Sequence, residues 1–156
     1  MTDPTDRSGP QWNTSPSAKL RTAVQRSVTA LLDELAPERV LRRVEQLEGM
    51  VEQHRTPTGC VLQAATCAVS VSWFPEDSQE SALGELHVLV WQGKVTRRGA
   101  SGAPKKATLV TELRLLPLEP PVDDCVWESS DGARYDTLSL AAKCLALLEA
   151  QVAAKR

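Results

Sequence analysis

The sequence is poor in aromatic residues and in histidine. Only 4% of its 156 residues are aromatic, and tryptophan accounts for four of these six residues. The interior must therefore be built mainly from Leu, Val and Ala, with each tryptophan a large anchor. The two histidines, His54 and His87, are far apart in the chain. This scarcity leaves few ways to activate a serine or cysteine nucleophile with a neighbouring base.

Motifs that mark catalytic or metal sites are also missing from the sequence. It contains no G-x-S-x-G, H-E-x-x-H, phosphate-binding loop or dinucleotide fingerprint. The closest His-to-Cys spacing is His54 to Cys60, and no second pair accompanies it. We expect no catalytic residue, no metal ion and no cofactor, which favours a non-enzymatic protein. A small enzyme stays open as a third hypothesis, and it requires His87 to face a carboxylate or thiol in a cleft.

The four cysteines form no C-x-x-C pair and lie in apolar segments. The N-terminus has neither the basic region nor the apolar region of a secretory signal. No uninterrupted apolar run reaches the roughly 18 residues that span a membrane. Buried free thiols, a cytoplasmic location and no membrane contact are therefore predicted.

Residues 1–16 are rich in Pro, Ser, Thr and Asp, and Trp12 is their one large apolar group. Such a stretch buries too little surface to offset its ordering entropy, so a disordered tail is predicted, with Trp12 as a candidate aromatic contact. Residues 17–156 match the size of one domain. Apolar residues at three- and four-residue steps predict two N-terminal amphipathic helices joined at Ala36-Pro37. Ser17 caps the first, and the second carries Val40 to Glu52.

Beyond Thr56 the apolar period changes to two. Alternating residues predict strands at 69–73, 85–91 and 109–115, and the Asp131-Gly132 turn between short apolar runs predicts a hairpin over 125–135. A helix capped by Asp136 or Thr137 closes the chain. The fold class is thus α+β, with two helices, an antiparallel meander of about four to five strands and one C-terminal helix packed on the sheet.

Charge is distributed unevenly along the sequence. No acidic residue occurs from Leu86 through Thr111, whereas five basic residues lie there, so this window carries a charge of +5. The rest of the chain has 13 basic and 20 acidic residues, which gives it a charge of −7. We call residues 94–106 the basic segment. Its cations are Lys94, Arg97, Arg98, Lys105 and Lys106. Glycine and proline at its centre predict a flexible hairpin connection.

Three interpretations of the basic segment remain open. It is a solvated loop that protects a sheet edge from aggregation, a dock for an acidic protein surface, or a phosphate-binding arm. Single-strand binding also needs an exposed aromatic near the cations, and Trp91 is the candidate. The leading hypothesis is an adaptor or chaperone-like protein-interaction domain, with self-association included. The alternative is a nucleic-acid-binding accessory protein that uses the basic segment.

Overall fold

The computed structural model describes residues 18–36, 51–75, 83–95, 107–118 and 125–154. Two helices and seven strands lie in these ranges. They are α1 (Ala18–Glu34), β1 (Glu52–Thr56), β2 (Gly59–Gln63), β3 (Cys67–Phe74), β4 (Glu85–Gln92), β5 (Thr108–Pro117), β6 (Trp127–Ser129), β7 (Arg134–Tyr135) and α2 (Thr137–Ala154). The α+β class and the antiparallel sheet are confirmed.

The seven strands form one antiparallel sheet in sequence order, β1 to β7. The predicted number of about four to five strands was too low because β1 and β2 were missed. β1 is exposed and polar, with the sequence EQHRT, so it has no apolar alternation to reveal it. β2 is nearly all buried, so the short apolar run Cys60-Val61-Leu62 shows no period of two. The turn residues Pro57 and Thr58 between them were the available signal.

The prediction of two N-terminal helices does not match the structure, whose described residues contain one helix before the sheet. Most of the predicted second helix, at 37–50, lies outside the described residues, as do Ser17 and the tail at 1–16. Its predicted end is wrong, because Glu52 pairs with Gln63 as the first residue of β1. The apolar spacing did not show where the helical pattern stops. Val51 fits that spacing, and it is also buried just before β1.

Both helices cover one face of the sheet, which we call the inner face. The inward side chains of β3 and β4 alternate as the sequence predicted and join buried residues of α1 and α2 in one core. Trp73 and Trp127 meet edge-to-face in this core, with ring centroids 5.6 Å apart. The α1 end is tied to β1, where the Gln53 amide donates to the Leu35 carbonyl at 2.9 Å and Arg55 pairs with Asp33 at 2.7 Å.

The C-terminal helix α2 begins with a reciprocal cap. The Ser139 backbone N–H donates to the Asp136 carboxylate at 2.8 Å, and the Asp136 N–H donates to the Ser139 hydroxyl at 2.9 Å. This confirms Asp136 as the cap. By length and composition α2 is the one helix among the described residues that could cross a membrane. Its buried row of Leu140, Cys144 and Leu148 nevertheless packs into the core.

Candidate interaction surface on the outer face of the sheet

The face of β3, β4 and β5 that points away from both helices is the candidate functional surface. Strand register places Ser72, His87 and Arg114 in one row across it, because side chains directly opposite each other lie on the same side. We call this set the outer face. Its members are Ser70, Ser72, Phe74, Glu85, His87, Leu89, Trp91, Leu109, Glu112 and Arg114.

A β-bulge extends the outer face along β5. The register shifts between Val90 and Trp91, so Leu109 lies opposite Trp91 and Val110 is the extra residue. Leu109 and Val110 are both exposed, at 46% and 45%. Beyond this point β6 pairs with β5 only over Leu115–Pro117. The apolar end of β5 therefore lies at an edge that no other described strand covers.

The centre of the outer face holds a charged group. The Glu85 carboxylate accepts from His87 Nε2 at 3.0 Å and lies 3.8 Å from Arg114 Nε. The Glu85 side chain is only 12% exposed, so it needs these cationic and polar neighbours. The His87 ring also contacts Phe74, with centroids 4.7 Å apart. An imidazole and a guanidinium therefore lie beside one carboxylate, and the imidazole also contacts an aromatic ring.

His87 meets one condition of the enzyme hypothesis, since it faces a carboxylate. It does so on the outer face of the sheet, however, and not between the sheet and α2 as that hypothesis required. Within the described ranges no three His, Cys, Asp or Glu side chains are grouped as metal ligands would be.

Trp91 lies on the outer face and is half-buried. Its indole Nε1 donates to the Ser70 hydroxyl at 3.0 Å, and Ala68 lies opposite it in the register. The small side chains of Ala68 and Ser70 leave room for the ring to lie along the sheet. Of the two predicted aromatic contacts, Trp91 is thus available on a surface, and Trp12 lies outside the described residues.

Gln63 fixes the chain where the basic segment begins. Its amide nitrogen donates to the carbonyls of Ala64, Cys67 and Gly93 at 2.8, 2.9 and 3.2 Å, and its oxygen accepts from the Val95 N–H at 2.9 Å. Lys94 lies between Gly93 and Val95, which both bond to Gln63, and it is exposed. Sequence reasoning missed Gln63, since a glutamine at the end of a short strand has no distinctive pattern.

Lys94 is the one cation of the basic segment that the structure describes. It follows Trp91 by three residues at the end of β4. In the chain the segment lies between β4 and β5, which pair antiparallel. The other four cations, Arg97, Arg98, Lys105 and Lys106, lie outside the described residues.

The cysteines are free and buried, as predicted. Burial raises the pKa of Cys60 to about 11, although Arg55 and Gln53 oppose the change. Burial, with Cys60 nearby, raises the pKa of Cys144 to about 12. Both groups are neutral thiols at physiological pH, and a neutral thiol is a poor nucleophile.

Comparison of the chain with protein-family models, with curated proteins and with solved structures gave no match. The residues of the outer face therefore carry the functional argument alone.

Proposed function

We propose that this protein is a non-enzymatic protein-interaction domain of the cytoplasm, acting as an adaptor or chaperone-like module. The outer face is its binding surface, and the observation that supports this is the mixture of side chains held there. Phe74 is 50% exposed beside His87, and Trp91 and Arg114 lie on the same face. Aromatic residues and arginine are the residue types enriched in protein interfaces and their energetic centres.

The contacts around Glu85 reduce the entropy cost of binding at this surface. His87 is held by Glu85 and Phe74, and Trp91 is held by Ser70. Side chains fixed before binding lose less freedom when a partner arrives, and each ordered side chain otherwise costs about 0.5–1.5 kcal/mol. A surface of this kind supports specific binding to one protein partner, including a second copy of the chain.

Charge favours an acidic region on the partner. The exposed Lys94 begins a segment of five basic and no acidic residues next to Trp91. Such a concentration of one charge accelerates encounter with a surface of opposite charge and weakens as salt is added. The outer face then contributes apolar contact, and the basic segment contributes steering.

The proposal is tested with Phe74→Glu and a matched control, Leu138→Glu, at an apolar residue of α2 that is 56% exposed. Each protein is used as bait in lysate of the source cells, and light scattering after size exclusion reports self-association. We expect a partner or an oligomer for the unchanged protein and the control, and its loss with Phe74→Glu. A monomer that captures nothing at physiological salt, or equal capture by both variants, contradicts the proposal.

Nucleic-acid binding is the second candidate, and the position of Trp91 favours it. The half-buried indole shares a surface with Ser70 and lies three residues from the exposed Lys94. An aromatic ring beside cations is the arrangement that stacks a base and pairs with phosphate. This function predicts binding that falls steeply with salt.

Fluorescence anisotropy with labelled single- and double-stranded oligonucleotides tests this alternative. Binding should disappear when Arg97, Arg98, Lys105 and Lys106 are changed to Glu, and Trp91→Ala should weaken single-strand binding more than duplex binding. No binding of DNA or RNA at low salt eliminates the alternative and leaves the protein-interaction proposal untouched.

A further inference from the structure

A cleft on the inner side of the sheet, separate from the outer face, has the features of a small-ligand site. It opens between α1, the end of β3 and Leu83, and it has a volume of about 270 Å³. Its lining residues are Arg21, Thr22, Gln25, Trp73, Pro75 and Leu83. Ligand pockets for larger organic molecules measure roughly 300–1,000 Å³, so this cleft suits a small group.

The floor of the cleft is apolar. Trp73 and Leu83 belong to the core and are almost fully buried, at 4% and 2% exposure. Gly84 brings the chain close to the tryptophan: its φ is +111°, and a β-carbon there would lie 2.7 Å from the edge of the Trp73 ring. Only glycine permits this approach together with this backbone conformation. The position of Leu83 beside Trp73 therefore depends on the glycine at position 84.

The rim of the cleft is polar and comes from one face of α1. Arg21, Thr22 and Gln25 are spaced so that consecutive helical turns present a guanidinium, a hydroxyl and an amide to the same opening. Arg21 Nη1 donates to the Pro75 carbonyl at 3.5 Å, which is long for a hydrogen bond. A guanidinium has five N–H donors, so Arg21 can keep its present contacts and still bind an anion.

We propose that this cleft binds a carboxylate carried on a small apolar group. Arginine recognises a carboxylate through two parallel N–H donors. Because the floor of the cleft is apolar and its rim carries one cation, it binds a ligand with one charged end and one apolar end most favourably. Thr22 and Gln25 supply further donors at the rim. Both a free organic acid and the C-terminus of a peptide with an apolar last residue present this chemistry.

The test uses three probes on the full chain: N-acetyl-leucine, its uncharged amide, and 4-methylpentanoate. Two-dimensional NMR follows the Trp73 indole and the Leu83 methyl signals during titration. We expect saturable shifts with both acids in the millimolar range and at least tenfold weaker binding of the amide. Tighter binding of N-acetyl-leucine identifies a peptide C-terminus as the ligand, and tighter binding of 4-methylpentanoate identifies a free acid.

Variants separate the cleft from nonspecific effects. Arg21→Gln should weaken both acids at least tenfold, whereas Arg26→Gln, at an exposed position of α1 outside the cleft, should leave binding unchanged. Thr22→Trp, which fills the cleft from an exposed helical position, should abolish the shifts. Absence of saturable shifts with either acid, equal binding of the amide, or full binding by Arg21→Gln overturns the proposal. Arg21 and Thr22 lie on α1 and not on the outer face, so these outcomes are distinguishable from those of the protein-interaction test.

Discussion

The side-chain oxygen of Gln63 accepts a hydrogen bond from the Val95 backbone N–H at 2.9 Å, joining residues 32 positions apart in the chain. With its three donor contacts, the buried amide links the β2–β3 connection to the end of β4. It places the start of the basic segment by specific hydrogen bonds, which hydrophobic burial alone would not do.

Replacement of this amide is expected to be costly. Gln63→Ala removes a hydrogen-bond partner from the Ala64 and Gly93 carbonyls and from the Val95 N–H, whereas the Cys67 carbonyl keeps the Ala64 N–H. One buried polar group left unsatisfied costs about 1–3 kcal/mol. We expect urea denaturation to show a loss in that range and the Val95 amide to exchange faster with deuterium. Gln92→Ala, at an exposed position of β4, is the control. If the Val95 amide of Gln63→Ala exchanges with deuterium at the same rate as in the unchanged protein, the Gln63 hydrogen bonds do not fix the start of the basic segment.

Two glycines with left-handed backbones should respond differently to the same substitution. Gly132 has a φ of +91° and open space around it, so Gly132→Ala adds only backbone strain, of order 1 kcal/mol. At Gly84 the new methyl would also lie 2.4 Å from the Phe74 carbonyl oxygen. Gly84→Ala should therefore lower the free energy of unfolding by distinctly more than Gly132→Ala, as measured by urea denaturation. Equal losses would refute the close packing at Gly84.

The α2 cap makes stability depend on pH in a definite direction. Hydrogen bonds from the Ser139 N–H and hydroxyl lower the pKa of Asp136 below its ordinary value of 3.8. A lowered folded pKa gives stability that is present above the unfolded pKa and lost as pH falls through the folded one. Asp136→Ala should cost about 1 kcal/mol at neutral pH and progressively less in acid.

Asp136→Asn is the matched control for the cap, because asparagine caps helices well and carries no charge. It should keep most of the stability at neutral pH and remove the contribution of Asp136 to the acid dependence. Urea denaturation of the three proteins across the acid range supplies the measurement. A difference between Asp136→Ala and the unchanged protein that does not shrink in acid would contradict this assignment.

The buried thiols should be unreactive in the folded protein. Cys60 and Cys144, with pKa values raised to about 11 and 12, are protonated at neutral pH, and Cys67 and Cys125 are fully buried. Ellman's reagent should titrate all four thiols in denaturant and label the native protein only slowly. Rapid labelling of any one cysteine before unfolding would show that its segment opens.

The sequence predicted the elements whose side chains alternate between buried and exposed. β4 is the clearest case, since Leu86, Val88 and Val90 face the core and His87 and Trp91 face outward. The edge strand β1 was missed because its side chains are mostly exposed and polar, and pairing with β2 holds it in the sheet. Alternation reports burial, so it cannot reveal a strand stabilised by its backbone partner.

Much less of the candidate site could be predicted. Lys94 and Trp91 were identified from charge and residue type, yet the contact of Trp91 with Ser70 depends on strand register. The group around Glu85 needs the register of β4 against β5 to bring Arg114 near, and the cleft needs α1 beside the end of β3. Each is a tertiary relationship with no local sequence signal.

The order of elements has a consequence for synthesis on the ribosome. Each of the seven described strands pairs with its neighbour in the chain, so hairpins can form one after another as the polypeptide emerges. The helices that pack against each other and cover the inner face come from opposite ends of this order. A nascent chain that stops before Thr137 therefore presents the apolar row of Val69, Val71 and Val88 without its C-terminal cover. We expect such a stalled intermediate to be the form of this protein most dependent on ribosome-associated chaperones.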